Sequence, residues 1–203
     1  RPQKDDPYRE VWPWFVNPPS GHDGRIGRRH PVNALVVYES LYGNTKTITE
    51  AIAEGLAREI TTEVVEVASA PSNPRATDLL VVGGPTHQFG LSRKSSRQQG
   101  ADDADGPVIS LDIGIREWIG SLSRVSGAVA ATFDTSIRKP NLPGSAARGA
   151  AKRLKKLGYR ILVPGELFLV EGGKGPITEG EIDRAREWGH MVALKAMPGI
   201  DTR

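Results

Sequence analysis

The stretch Ala34-Leu35-Val36-Val37-Tyr38-Glu39-Ser40-Leu41-Tyr42-Gly43-Asn44-Thr45 decides the fold. Its first five residues form a near-continuous apolar run, the pattern of a buried strand, and they lead directly into a short polar turn. Beyond the turn Ile48, Ala51, Ile52 and Leu56 fall on one face of a helix expected over 44–59. A strand, a turn with small hydroxyls and a helix N-terminus make a cradle for an anion, because free backbone N–H groups gather where the helix macrodipole is positive. Gly43 lets the backbone approach a ligand with no Cβ between them, and Ser40, Asn44 and Thr45 add side-chain donors. The turn carries no lysine of the triphosphate pattern Gly-x-x-x-x-Gly-Lys-Ser/Thr, nor the dinucleotide pattern Gly-x-Gly-x-x-Gly. The expected ligand group is therefore a single terminal phosphate.

The order apolar, apolar, aromatic, any, Ser, two free, Gly, any, Thr resembles the FMN-phosphate signature of flavodoxins, and Val36, Val37, Tyr38, Ser40, Gly43, Thr45 and Ile52 fit it. Thr49 stands where that signature has alanine, and Tyr42 replaces its threonine. Ser-x-Tyr-Gly-x-Thr is similar to the variant in flavodoxin-like quinone reductases. The resemblance spans about Val32 to Pro198. It implies a flavodoxin-like three-layer α/β/α sandwich on a five-stranded parallel sheet of order 2-1-3-4-5. It also implies FMN as cofactor, with Ser40, Leu41, Tyr42, Gly43, Asn44 and Thr45 around its phosphate.

A chain of 203 residues suits one domain plus an extension. It has no cysteine, which excludes disulfides, thiolate nucleophiles, iron–sulfur clusters and cysteine-type zinc sites, and fits the reducing cytoplasm expected as its location. No apolar run is long enough to cross a bilayer and the N-terminus lacks a signal peptide's hydrophobic core, so no membrane partner is expected. The sequence begins at Arg1 and not at a methionine, which leaves room for an upstream neighbour. Lys and Arg total 27 against 24 acidic residues, a net charge of +3. The charge concentrates only at Arg148, Lys152, Arg153, Lys155 and Lys156. These read as the solvated face of one helix and not as a nucleic-acid footprint, since no stacking aromatics interleave with them. Many flavodoxins are strongly acidic and dock on basic reductases; this charge balance argues against that mode.

Residues 1–32 contain six prolines together with Tyr8, Trp12, Trp14 and Phe15, a composition too broken for a helix or a central strand. They read as an extended arm. Its aromatics either seek a groove, on the same fold or on a second subunit of a homodimer, or belong to a disordered tail. Residues 33–198 read as the α/β domain itself. Strands are expected at 34–38, 63–67, 79–82, 128–133 and 160–163, and the segment 166–170 is a split or an extension of the fifth. Helices are expected over 115–122 and 147–157, the latter stopped by Gly158. A capping box, Thr178-Glu179-Gly180-Glu181, opens the last helix. The stretch 91–110 is rich in Ser, Gln, Gly and Asp and shows no periodicity; it is expected to be an irregular insertion, either a lid or disorder.

In an open parallel sheet the ligand lies beyond the carboxyl ends of the strands where strand order reverses. After the third strand come Gly83-Gly84-Pro85-Thr86-His87-Gln88-Phe89-Gly90, similar to the Gly-x-Pro-Thr-x-Phe-Gly loop of flavodoxin-like reductases with one residue more between Thr86 and Phe89. The resemblance implies Pro85, Thr86, His87, Phe89 and Gly90 at the flavin. His87 or Phe89 would lie against the isoalloxazine and Gly90 would present its peptide to N5. Read without the resemblance, these residues are a Gly-Gly-Pro turn and a packing histidine. His22, His30 and His190 are far apart in sequence and no acid completes a triad or metal set, so neither a catalytic side chain nor a metal site is expected.

The fourth strand is expected to end in Thr132-Phe133-Asp134-Thr135, where flavodoxin-like relatives read the flavin pyrimidine, usually with glycines. Asp134 then has two readings. It faces the N1/O2 edge, opposing an anionic hydroquinone by about 4 kcal/mol at ~4 Å and an effective dielectric of ~20, or it closes an Asx-turn onto Ser136 or Ile137.

Two functions follow from different classes. The first is an FMN-binding redox protein, an electron carrier or a small flavin-dependent reductase, passing electrons to a redox partner protein or a small-molecule acceptor. The second is a flavodoxin-like domain without bound flavin that acts as an interaction or regulatory module; Thr49, the extra residue in the second loop and the glycine-free third loop favour it. A phospho-acceptor regulator would need more acids than Glu39 at the first strand end, and a lysine near the fifth, where Pro164-Gly165 stand.

Overall fold

The near-continuous apolar runs become strands buried on both faces. In a computed structural model, which describes residues 32–74, 77–137 and 144–197, β1 (Asn33–Tyr38) is followed by α1 (Asn44–Leu56), β2 (Thr61–Glu66) and β3 (Leu79–Pro85). Then come α2 (Lys94–Asp102), α3 (Ile115–Ser121), β4 (Val129–Ile137), α4 (Ala146–Lys156), β5 (Arg160–Ile161), β6 (Glu166–Val170) and α5 (Glu181–Ala196). The arm expected over 1–32 lies outside the described residues apart from Val32. Every strand pairing is parallel, and the order is β2-β1-β3-β4-β5 with β6 also on β4, as the resemblance implied. β5 pairs with Val129 and Ala130, while β6 pairs with residues from Phe133 to Ile137. The fifth position is thus one strand split in two, and the segment 166–170 is its second half.

Alternation along each strand sorts the core into two layers. Ala34, Val36, Val81, Ala131 and Phe133 meet α1 and α5 on one face. Leu35, Val37, Leu80, Val82 and Ala130 meet α3 and α4 on the other. Backbone contact joins α1 to α5: a Cβ added to Gly189 would lie 2.2 Å from the Ile52 carbonyl oxygen, and one on Gly55 would lie 2.0 Å from that of Arg186. Beside this crossing the rings of Phe133, Phe168 and Trp188 meet edge to face, each pair with centroids 6.1 Å apart.

Two expectations are corrected. The stretch 91–110 is not irregular throughout, since α2 occupies nine of its residues. No apolar period announces this helix because the one residue it buries fully is Arg97. The capping box of the last helix does not form either. Gly180, with φ +81°, is the N-cap, and the Glu181 carboxylate instead accepts the N–H of Leu169 at 2.8 Å.

That contact belongs to a larger arrangement along the outer side of β6. The Thr178 N–H donates to the Leu169 carbonyl at 3.0 Å. The Arg184 guanidinium donates to the Leu167 carbonyl, pairs with Glu166 and Glu181, and lies 4.5 Å over the Phe168 ring. The Leu169 N–H and the carbonyls of Leu167 and Leu169, which point away from β4, are thus taken up by side chains and by the turn that follows.

Candidate functional site

The carboxyl end of β1 passes into the turn that opens α1. Gly43 precedes the helix with φ +97°, a left-handed conformation, and a Cβ built there would meet no heavy atom within 4 Å. Ser40 shapes the turn from inside: its Oγ accepts the N–H groups of Gly43 (3.2 Å) and Lys46 (3.3 Å). The N-cap residue Gly43 has no side chain of its own to cap α1. Among the described residues no acceptor takes the N–H groups of Leu41, Tyr42, Asn44 or Thr45. These amides cluster at the positive end of a 13-residue helix.

The side chains differ from expectation in one respect. The Thr45 and Thr135 hydroxyls are 2.7 Å apart and both residues are buried, so Thr45 ties α1 to β4. The donors left for an anion are mainly backbone groups. Thr49, which departs from the family signature, bonds back to the Thr45 carbonyl at 2.7 Å and stays out of the turn.

The insertion walls this turn on one side. The Ser110 N–H donates to the Ser40 carbonyl (2.8 Å), the Ile109 N–H to that of Leu41 (3.1 Å), and the Ser40 N–H to Ser110 Oγ (3.0 Å). Tyr42 Oη donates to the Gly100 carbonyl at 2.7 Å. On the other side Gly175, with φ +103°, sits against the Asn44 side chain, and its neighbour Lys174 reaches Asp105 at 2.6 Å.

Arg97 and Glu39 hold the insertion in place. The Arg97 side chain is fully buried and donates to the carbonyls of Leu111 (2.9 Å) and Asp112 (3.1 Å), to Ser92 Oγ (2.9 Å) and to Glu117 (3.1 Å). The Glu39 carboxylate accepts the Ile115 N–H at 2.9 Å. Burial raises the Glu39 pKa above the usual carboxylate range, against the opposing pull of Ser92, the Ile115 N–H and the Arg97 charge. Gly114 fits between the two charged groups with no room for a Cβ, which would lie 2.5 Å from Arg97 Nη1 and 2.7 Å from Glu39 Oε2. Sequence reasoning missed this cluster. Strand alternation was the available signal, because Leu35, Val37 and Glu39 share the face that packs on α3.

The second loop is a tight turn. β3 runs on to Pro85, and His87 and Gly90 then exchange two backbone hydrogen bonds of 2.9 and 3.0 Å around Gln88 and Phe89. Gly90 therefore spends both peptide groups on His87, and offering one to a ligand requires the turn to open. Phe89 is 65% exposed, a large apolar surface without cover among the described residues. Burial, followed by the Arg97 charge, lowers the His87 pKa and leaves the imidazole neutral at pH 7.

The third loop begins later than the sequence suggests. β4 extends to Ile137, so Thr132 and Phe133 are interior strand residues: Phe133 belongs to the aromatic core and Thr132 is fully buried. Asp134 does not close an Asx-turn onto Ser136 or Ile137 but reaches α4. Its Oδ2 accepts from Thr86 Oγ1 (2.9 Å), Ser145 Oγ (2.6 Å) and the Ala147 N–H (3.0 Å), while Thr86 Oγ1 accepts the Ala146 N–H at 2.9 Å. The unsatisfied amides and positive dipole at the start of α4 attract the carboxylate, which the strand pleat aims at that helix. The residues that follow β4, 138–143, lie outside the described set. Among the described residues no His, Asp or Glu cluster is arranged for a metal ion, and no helix is long and apolar enough to cross a membrane.

The family model described as Flavodoxin matches residues 36–189. Among solved structures, a flavodoxin from the domain Archaea superposes with a TM-score of 0.57 at 18% identity, covering 81% of this chain and 99% of that one. Oxidised Flavodoxin 1 from Bacillus cereus gives 0.56 at 16% identity over 81% and 96%. A flavodoxin-type, WrbA-like protein from Agrobacterium tumefaciens gives 0.52 at 20% identity over 81% and 97%. At these identities the likeness is one of fold. No curated protein sequence matches the chain.

Proposed function

Because the chain belongs to the flavodoxin family, we propose that it is an FMN-binding redox protein that passes electrons to a protein partner or a small-molecule acceptor. One observation carries this reading: four amides without acceptors among the described residues stand around Gly43, whose open Cβ direction leaves space for a bulky dianion. In this proposal the N–H groups of Leu41, Tyr42, Asn44 and Thr45 hold the phosphate, and Ser40 keeps the turn in shape. Phe89 offers its exposed ring to the flavin. FMN when bound supplies the one- and two-electron chemistry, and the chain supplies position and electrostatics.

Titration of FMN fluorescence tests it. Purified protein quenches FMN at micromolar concentration or below. Riboflavin, which lacks the phosphate, binds at least about a hundredfold more weakly, since hydrogen bonds to a charged group contribute about 1.5–3 kcal/mol each. Gly43→Ala places a methyl in the open space and weakens FMN by at least about tenfold, while the left-handed φ adds about 1–2 kcal/mol of instability. A chain that leaves micromolar FMN fluorescent refutes the proposal.

A second reading, a flavodoxin-like module without flavin, is favoured by the Thr45–Thr135 and His87–Gly90 pairs, which close parts of the site on themselves. The same titration separates the two.

A further inference from the structure

A cleft of about 330 Å³ opens between the His87–Gly90 turn and the first half of α2, apart from the 40–45 turn. Its walls are polar: His87, Gln88, Ser95 and Gln99 contribute donors, and Arg93 and Arg116 contribute charge. No Asp or Glu lines it. Arg116 is fixed by its own hydrogen bonds, Nε to the Ser92 carbonyl (2.7 Å) and Nη2 to the Leu91 carbonyl (2.5 Å), so its charge stays at the wall. Arg93 and the nearby Arg153 pair with no carboxylate among the described residues. Burial, then repulsion from Arg153 and Arg93, lowers the Arg116 pKa, against a smaller opposing pull from Glu117 and Glu39 behind the wall. A polar hollow lined by two arginines and no carboxylate focuses a positive potential and concentrates anions within it.

We propose that this cleft binds a small polyanion carrying at least two phosphate or carboxylate groups. Arg93 and Arg116 neutralise the charge, and Ser95, Gln99 and the neutral His87 take the remaining oxygen and hydroxyl positions. A molecule held there lies next to Phe89. The proposal goes beyond the flavin reading and does not depend on it.

Isothermal titration calorimetry at low ionic strength, with pyrophosphate and citrate as separate probes, tests the site on the full chain with and without saturating FMN. Saturable binding of one or both probes is expected, and a preference for pyrophosphate or citrate tells phosphate from carboxylate chemistry. Arg93 is exposed at the helix start, so Arg93→Gln is expected to keep the circular dichroism and FMN affinity of the wild type while weakening the probe by about tenfold or more. If neither probe saturates below about 10 mM, or if Arg93→Gln binds it as the wild type does, the inference is overturned. Loss of FMN binding with the anion site intact would overturn only the flavin reading.

Discussion

Replacing Arg97 by methionine keeps the aliphatic volume of the side chain and removes its guanidinium. The carbonyls of Leu111 and Asp112 and the Ser92 hydroxyl then lose donors at 2.9–3.1 Å inside the protein, at about 1 kcal/mol each. Glu117 loses its ion-pair partner and Glu39 the charge that favours its ionised form, and breaking a buried charge pair from one side is destabilising by about 3–5 kcal/mol in all. Against a typical stability of about 5–15 kcal/mol this is a large fraction, and at roughly 2–4 °C per kcal/mol it lowers Tm by roughly 10 °C. The loss should be concentrated in the insertion. Urea unfolding followed by circular dichroism reads the total, and amide exchange over 94–102 and 109–115 reads the place. A loss below about 1 kcal/mol with α2 still protected would refute the view that Arg97 fastens the insertion to the end of β1.

Gly189→Ala puts a Cβ 2.2 Å from the Ile52 carbonyl oxygen, so α1 and α5 must separate; the expected loss is about 1–3 kcal/mol, seen as a lower urea midpoint, despite alanine's better helix propensity. Glu39 has a folded-state pKa above its unfolded value, so the native state takes up its proton more readily than the unfolded chain does. The ionised group therefore weakens the native state above its folded pKa, and that penalty fades as pH falls toward the usual Glu value of about 4.3. The stability of Glu39→Gln relative to wild type should accordingly decline as the pH is lowered from neutral toward about 4.3; a relative stability that rises on acidification would contradict this.

The strands were legible because central parallel strands are apolar throughout, and their order followed from the flavodoxin resemblance carried by the turn with Ser40, Gly43 and Thr45. The ends were harder. Apolar character stops at Phe133, yet β4 continues through Asp134, Thr135 and Ser136, since ladder hydrogen bonds from β3 and β6 do not require apolar side chains. Asp134 could be read as a turn former only while α4 was out of view; its partners Ser145 and Ala147 are distant in sequence. α2 escaped for the opposite reason, because a helix that buries an arginine against carbonyls leaves no hydrophobic stripe.

The arrangement of Glu181, Arg184 and Thr178 along β6 also governs how copies of the chain can meet. An unguarded border strand invites a stranger's strand to add on, the route to domain swapping and fibrous aggregates. Here the amide of Leu169 and the carbonyls of Leu167 and Leu169 are already occupied, and a charged pair stands in front of them. A strand adding across Leu167–Leu169 would first have to displace Glu181, Arg184 and the turn at Thr178.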